Sequence, residues 1–234
     1  MHKGIPVLEY DVKGSDKLIF INHGIFGNKD RAMKLIGSPL VKQGYKVVAI
    51  DAYKHGERST APYKDKVDET LSMLYIFETV KQTTLDIMSL KKDLYDEYKQ
   101  YDVLGISMGG YVAYYLASQT TEVNTVIPII SAPVFSQPRF FDLPSEYQDD
   151  YTKEATRLKN MALAMDPALH PEELSFKKII AFSGKHDDVI PFSYTDTFIK
   201  ENPDFDITHE LFNTGHQMVP PMQKRLTEHL KRNT

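Results

Sequence analysis

YDVLGISMGGYVAYYLAS (Tyr101–Ser118) is the stretch from which the rest of the chain can be read. Its first part, through Ile106, has the apolar composition of a strand buried on both faces. The part after Ser107 carries small and apolar residues at helical spacing. Ser107 stands between them, with Gly105 and Gly109 two positions away on either side. A serine on a sharp strand-to-helix turn needs such small neighbours, so that its hydroxyl stands clear and a second backbone can approach. At that place it lies at a helix N-terminus, where free N–H groups and the helix dipole favour a developing oxyanion. The same spacing also surrounds ordinary turn serines, so the remainder of the chain must supply a base, an acid and a second oxyanion donor.

Short apolar, β-branched runs recur on both sides of this stretch, at Leu18–Ile21, Val47–Ile50, Thr125–Ile130, Ile179–Phe182 and Ile207–Phe212. Helical periodicity fills Asp30–Gln43, Thr70–Tyr98, Met108–Ser118, Phe192–Lys200 and Pro220–Lys231. Strand and helix alternate, which predicts an α/β fold: a doubly wound, mostly parallel sheet with sites at the carboxyl ends of its strands. The first run, Ile5–Val12, has no helix after it and is expected to form an antiparallel edge hairpin. A chain of 234 residues suits a single α/β domain over 1–234. About 45 residues separate Ser131 from Lys178, too many for a simple crossover. Residues 132–177 therefore read as an inserted cap, rich in Pro and aromatics at first and helical from Tyr151 to Met165. There is no internal repeat and no low-complexity tract.

Composition narrows the function. Net charge is −4 and Lys and Arg are scattered, so no nucleic-acid partner is expected. Cysteine is absent, which removes disulfides, thiolate metal sites and a thiol nucleophile and suits a reducing compartment. The stretch MHKGIPVLEYDVKG lacks an apolar core of signal-peptide length, and nowhere do about 18 consecutive apolar residues occur. The reading is a cytoplasmic protein with no membrane partner.

Ser107 needs a base. His216, in FNTGHQM after the last strand pattern, is placed on a loop where Gly215 gives it room. The histidine in turn needs a carboxylate on a loop after a different strand, to fix its tautomer and stabilise the imidazolium. AFSGKHDDVIP offers Asp187 and the adjacent Asp188. Three neighbouring residues rarely all reach one ion and no further ligand cluster is visible, so His186-Asp187-Asp188 is not read as a metal site. Met108, the first residue of the helix, supplies one oxyanion amide. NHGIFGNKD supplies the other, with Ile25 preferred over Phe26, while His23 is read as bonding within its own loop. Phe26, His55, Phe135, Phe140 and Met161 are expected to line the substrate pocket, with Phe141 and Met165 as further cap candidates, although Met161 and Met165 lie four apart on a helix, as packing residues do.

Taken together, HGIFG, GISMGG, SGKHDDVIP and GHQM resemble the α/β-hydrolase superfamily, whose triad runs serine, acid, histidine in chain order. The resemblance extends from Leu18 to about Lys231. In that family the acid often stands as Gly-x-x-Asp with proline four residues later, which here selects Asp187 between Gly184 and Pro191. DAYKHGERS is similar to bacterial esterases of the dienelactone hydrolase and prolyl-oligopeptidase-like branch, many of which carry His-Gly-x-Ser in that loop. Here His55-Gly56 is followed by Glu57, Arg58 and only then Ser59, so His55 and Arg58 read as a wall of the site mouth. The resemblance implies a serine carboxylesterase with a catalytic triad of Ser107, His216 and Asp187, an acyl-enzyme intermediate, small to medium acyl esters as substrates, no cofactor and no metal. The same triad serves thioesters and amides, and a non-catalytic binding protein could keep the fold. Dehalogenase and epoxide-hydrolase chemistry would require aspartate at the elbow. Exposed helix faces are too ordinary to set the oligomeric state.

Overall fold

In the computed structural model, which describes residues 1–64 and 68–231, the apolar runs become a sheet whose two faces can be told apart residue by residue. Its strands are β1 (Val7–Tyr10), β2 (Lys17–Asn22), β3 (Tyr45–Ile50), β4 (Tyr101–Ile106), β5 (Val123–Ile129), β6 (Lys178–Gly184) and β7 (Ile207–Phe212). Among the described residues they lie in the order β1-β3-β2-β4-β5-β6-β7, all parallel except β1. β4 sits in the middle, so the residue that follows Ile106 emerges at the centre of the sheet's carboxyl edge.

Side chains alternate across a strand. Leu18, Phe20, Val48, Ile50, Val103, Val126, Ile179 and Ala181 enter one core. Ile19, Ile21, Val47, Ala49, Leu104, Ile127, Ile180 and Phe182 enter the other. The first core is covered by α3 (Glu69–Leu74), α4 (Ile76–Leu94), α5 (Met108–Gln119), α6 (Ser145–Met165) and α7 (Ser193–Glu201). The second is covered by α1 (Lys29–Ala32), a π-helical turn at Met33–Gly37, α2 (Ser38–Val41) and α8 (Pro220–Lys231). The two faces are thus wound separately, as expected of a doubly wound sheet.

Three expectations change. Ile5–Val12 does not form a hairpin: β2 is already paired in parallel on both sides, and β1 instead joins the free edge of β3, antiparallel, with Val7 opposite Ile50. The periodic stretch Thr70–Tyr98 is broken at Tyr75 into α3 and α4. The helix expected from Tyr151 begins at Ser145, because SEYQDD has no apolar stripe to reveal it. Among the described residues no helix is long and apolar enough to cross a membrane.

Candidate active site

The glycines around Ser107 are dictated by contact. A Cβ on Gly105 would lie 1.8 Å from the Gly109 carbonyl oxygen, one on Gly109 would lie 2.3 Å from that of Asn22, and one on Gly110 would lie 2.3 Å from Ser131 Cβ. The first turn of α5 is pressed against its own strand and against β2, and that proximity sharpens the elbow. Ser107 itself takes φ 54°, ψ −117°, a backbone region costly for any residue with a side chain. Its N–H is held by the Ile129 carbonyl at 2.9 Å.

This turn presents Ser107 Oγ at 2.8 Å from His216 Nε2. His216 follows β7, and its Nδ1 lies 2.9 Å from Asp187 Oδ2. Asp187 follows β6, with its side chain fully buried. Its second oxygen accepts the N–H groups of Val189 at 2.9 Å and Ile190 at 2.8 Å. Asp188 points to solvent, so the structure brings Asp187 to the histidine. The acid and histidine loops are stitched together by Lys185 N–H to Phe212 O and His186 N–H to Thr214 O. They run so close that a Cβ on Gly184 would lie 2.5 Å from the oxygens of both Thr214 and Gly215.

The loop after β2 passes on the other side of Ser107. A Cβ on Gly24 would lie 3.4 Å from Ser107 Cβ and 4.0 Å from its Oγ. Among the described residues the amides of Ile25 and Met108 have no acceptor within the protein, and Met108 belongs to the first turn of α5, whose N–H groups no helix can satisfy internally. His23 is buried, with Nδ1 at 2.8 Å from Gly24 O and Nε2 accepting the Ala52 N–H at 3.0 Å. Burial holds its pKa below the ordinary imidazole value.

Beside Ser107 and His216 opens a cleft of about 820 Å³. Ile25, Leu35, Ile130 and Met218 give it apolar walls, and Arg31 and Lys34 stand along it. It lies between the α1 region and the start of α8, and no residue of 132–177 lines it. The expected cap residues therefore do not roof the cleft at Ser107: the insertion has a separate hollow of about 530 Å³, lined by Phe141, Leu143 and Lys159 among others, that includes neither Ser107 nor His216. Phe135 and Phe140 are buried in the first core, where Phe135 stacks on Phe77 at 4.9 Å and Phe140 meets Tyr111 edge-on at 5.8 Å. Phe141, Met161 and Met165 pack with the same core. Each is apolar because the insertion folds onto α4 and α5. Phe26 is half-exposed and turns its ring toward Tyr63, 6.3 Å away. His55 is buried against Tyr63 at 4.1 Å, behind the loop after β2, and burial lowers its pKa to about 4.

One residue went unnoticed in the sequence. Asp51, fully buried after β3, accepts the N–H of Lys29 at 2.8 Å and of Glu57 at 2.9 Å, and a Cβ on Gly56 would collide with its carboxylate. It anchors the start of α1, one wall of the cleft. A carboxylate directly after a buried strand, with glycine five positions on, was the available signal.

Residues 7–216 match the sequence pattern of the dienelactone hydrolase family. The chain belongs to the dienelactone hydrolase family. Membership makes it an esterase-like hydrolase. Solved α/β-hydrolase-fold structures superpose on it over nearly its full length. TT1662 from Thermus thermophilus is 17% identical with a TM-score of 0.75, covering 98% of this chain and 93% of that one. The esterase Pf2001 from Pyrococcus furiosus is 17% identical with a TM-score of 0.65, covering 97% and 92%. A structure from work on carboxylesterases of Nitrososphaera gargenis is 16% identical with a TM-score of 0.66, covering 98% and 96%. No curated protein matches the chain in sequence.

Proposed function

We propose that this dienelactone hydrolase family member cleaves carboxylic esters through an acyl-enzyme on Ser107. The observation that carries the reading is the unbroken chain from Ser107 Oγ to His216, 2.8 Å, and on to buried Asp187, 2.9 Å, starting from a strained serine at a helix N-terminus. Ser107 Oγ forms a bond to the acyl carbon while its proton passes to His216 Nε2. Asp187 accepts the opposite N–H and stabilises the imidazolium. Negative charge gathers on the former carbonyl oxygen, which the amides of Ile25 and Met108 receive. Collapse breaks the bond to the alcohol, which leaves with the proton from His216. Water then repeats the sequence on the acyl-enzyme: His216 takes its proton, the acid departs and Ser107 regains its hydrogen.

The cleft suits small to medium acyl groups, since Ile25, Leu35, Ile130 and Met218 give it apolar walls within about 820 Å³ and it opens to solvent. The substrate is a small molecule, and the chemistry asks for no cofactor or metal. A cysteine-free sequence favours work in the cytoplasm. Hydrolysis of p-nitrophenyl esters of increasing acyl length, by the wild type and Ser107→Ala in parallel, tests the reading. Activity with a chain-length optimum, lost in the variant, supports it; turnover that survives the substitution overturns it.

A further inference from the structure

The oxyanion loop poses a problem that the triad does not solve. A trans peptide points its C=O and N–H in opposite directions. The Gly24–Ile25 peptide is trans, so whichever way the Gly24 carbonyl faces, the Ile25 amide faces the other. Were this unit flipped, a carbonyl oxygen would face the site and repel the developing negative charge. With no Cβ at Gly24, the loop has little intrinsic preference between the two settings.

The setting is decided by a neighbouring ring. The Ala52 N–H points at His23 Nε2 from 3.0 Å, so that nitrogen must present its lone pair. In the neutral ring the proton then belongs to Nδ1, which lies 2.8 Å from Gly24 O. The Gly27 N–H reaches the same oxygen at 2.9 Å. Two donors fix the Gly24 carbonyl on the side of the His23 ring and Gly27, and the ring, 3% exposed and packed beside His55, cannot easily rotate. We propose that His23 is a positioning residue whose Nδ1–H tautomer, fixed by the Ala52 amide, aims the Ile25 N–H at the oxyanion. This rests on the serine-hydrolase reading above.

Two amides separate the ring's two bonds. Asparagine can place an N–H near the Nδ1 position while losing the bond to Ala52. Glutamine can place an oxygen near the Nε2 position while losing the donor to Gly24. The experiment compares His23→Asn and His23→Gln with wild type in kcat, KM and thermal stability, alongside the rate at which a fluorophosphonate labels Ser107. The expected result is a kcat about 100-fold lower for His23→Gln at nearly unchanged KM, the usual cost of losing one oxyanion donor. His23→Asn should restore kcat to within about tenfold of wild type despite being no more stable than His23→Gln. If His23→Gln keeps wild-type kcat, or if kcat simply follows stability across the pair, the inference is overturned. Ring ¹⁵N shifts of wild-type His23 test it without any variant: a neutral ring protonated at Nδ1 supports it, and one protonated at Nε2 overturns it. Wild type that is never labelled at Ser107 overturns the underlying reading, whereas normal labelling with unaffected His23 variants overturns only this one.

Discussion

Replacing Asp187 with asparagine exchanges one carboxylate oxygen for an NH₂ group and should nearly abolish activity. In the native site Oδ1 accepts two backbone N–H groups, at 2.9 and 2.8 Å, and Oδ2 faces His216 Nδ1 at 2.9 Å. An asparagine amide oxygen takes the Oδ1 position, because only an acceptor satisfies Val189 and Ile190. The NH₂ group is then forced against His216 Nδ1. Two donors cannot face each other at that distance, so the ring moves its proton to Nε2 and accepts at Nδ1. Nε2–H now meets Ser107 Oγ, 2.8 Å away, and cannot take its proton. Loss of the correct tautomer in such a triad costs about 10⁴ in kcat, or about 5 kcal/mol in the barrier. Because both loop bonds survive, the urea midpoint should move by less than about 1 kcal/mol equivalent. Steady-state hydrolysis of p-nitrophenyl acetate and urea unfolding of the same preparations measure the two quantities. Activity within about tenfold of wild type would refute the tautomer argument, as would a larger loss from Asp188→Asn.

Other consequences follow from the packing. Phe135→Ala should cost about 3–5 kcal/mol of stability by urea unfolding while leaving the acyl-length preference unaltered, since its ring is buried on Phe77 rather than lining the cleft. Gly109→Ala should destabilise the fold by about 3 kcal/mol or more, read from its melting temperature, because the new Cβ would lie 2.3 Å from a backbone oxygen of β2 that cannot swing aside. Burial lowers Lys177, whose Nζ donates to Thr120 O at 2.8 Å and Val123 O at 2.7 Å, to about 8. Its folded pKa thus lies below the unfolded value of about 10.4, the unfolded chain binds more protons between those limits, and stability must rise with pH across that window. Urea midpoints of wild type relative to Lys177→Met should therefore climb from pH 8 to pH 10; a flat or falling difference contradicts the burial of a charged ammonium.

What could be read from the sequence was local. The strand, Ser107 and the helix after it are contiguous, and the glycines at 105, 109 and 110 announce the close contacts that the fold makes there. Alternation of Leu18, Ile19, Phe20 and Ile21 between two cores was likewise written in the residues. Properties that depend on distant partners were not legible in this way. Nothing in Asp187-Asp188 by itself says which side chain turns inward; the N–H groups of Val189 and Ile190 and the position of His216 decide it. Phe135 and Phe140 are apolar whether they line a pocket or fill a core, and only the packing on Phe77 and Tyr111 separates the two. The cleft walls come from Leu35 and Met218, far apart in sequence and unremarkable in either segment. The sequence also hides a second chain of the same residue types, Ser183 Oγ to His209 Nε2 at 3.0 Å and His209 Nδ1 to Asp196 at 2.8 Å. Ser183 is buried within β6, so this chain ties β6, β7 and α7 together without offering a nucleophile.

The proposed reaction passes through a covalent acyl group on Ser107. Acid-quenching wild type during turnover of a p-nitrophenyl ester, followed by intact-mass measurement and peptide mapping, looks for that group directly. An added acyl mass is expected on the peptide containing Ser107, and none in Ser107→Ala. An acyl group on any other residue, or undiminished turnover by Ser107→Ala, would contradict it.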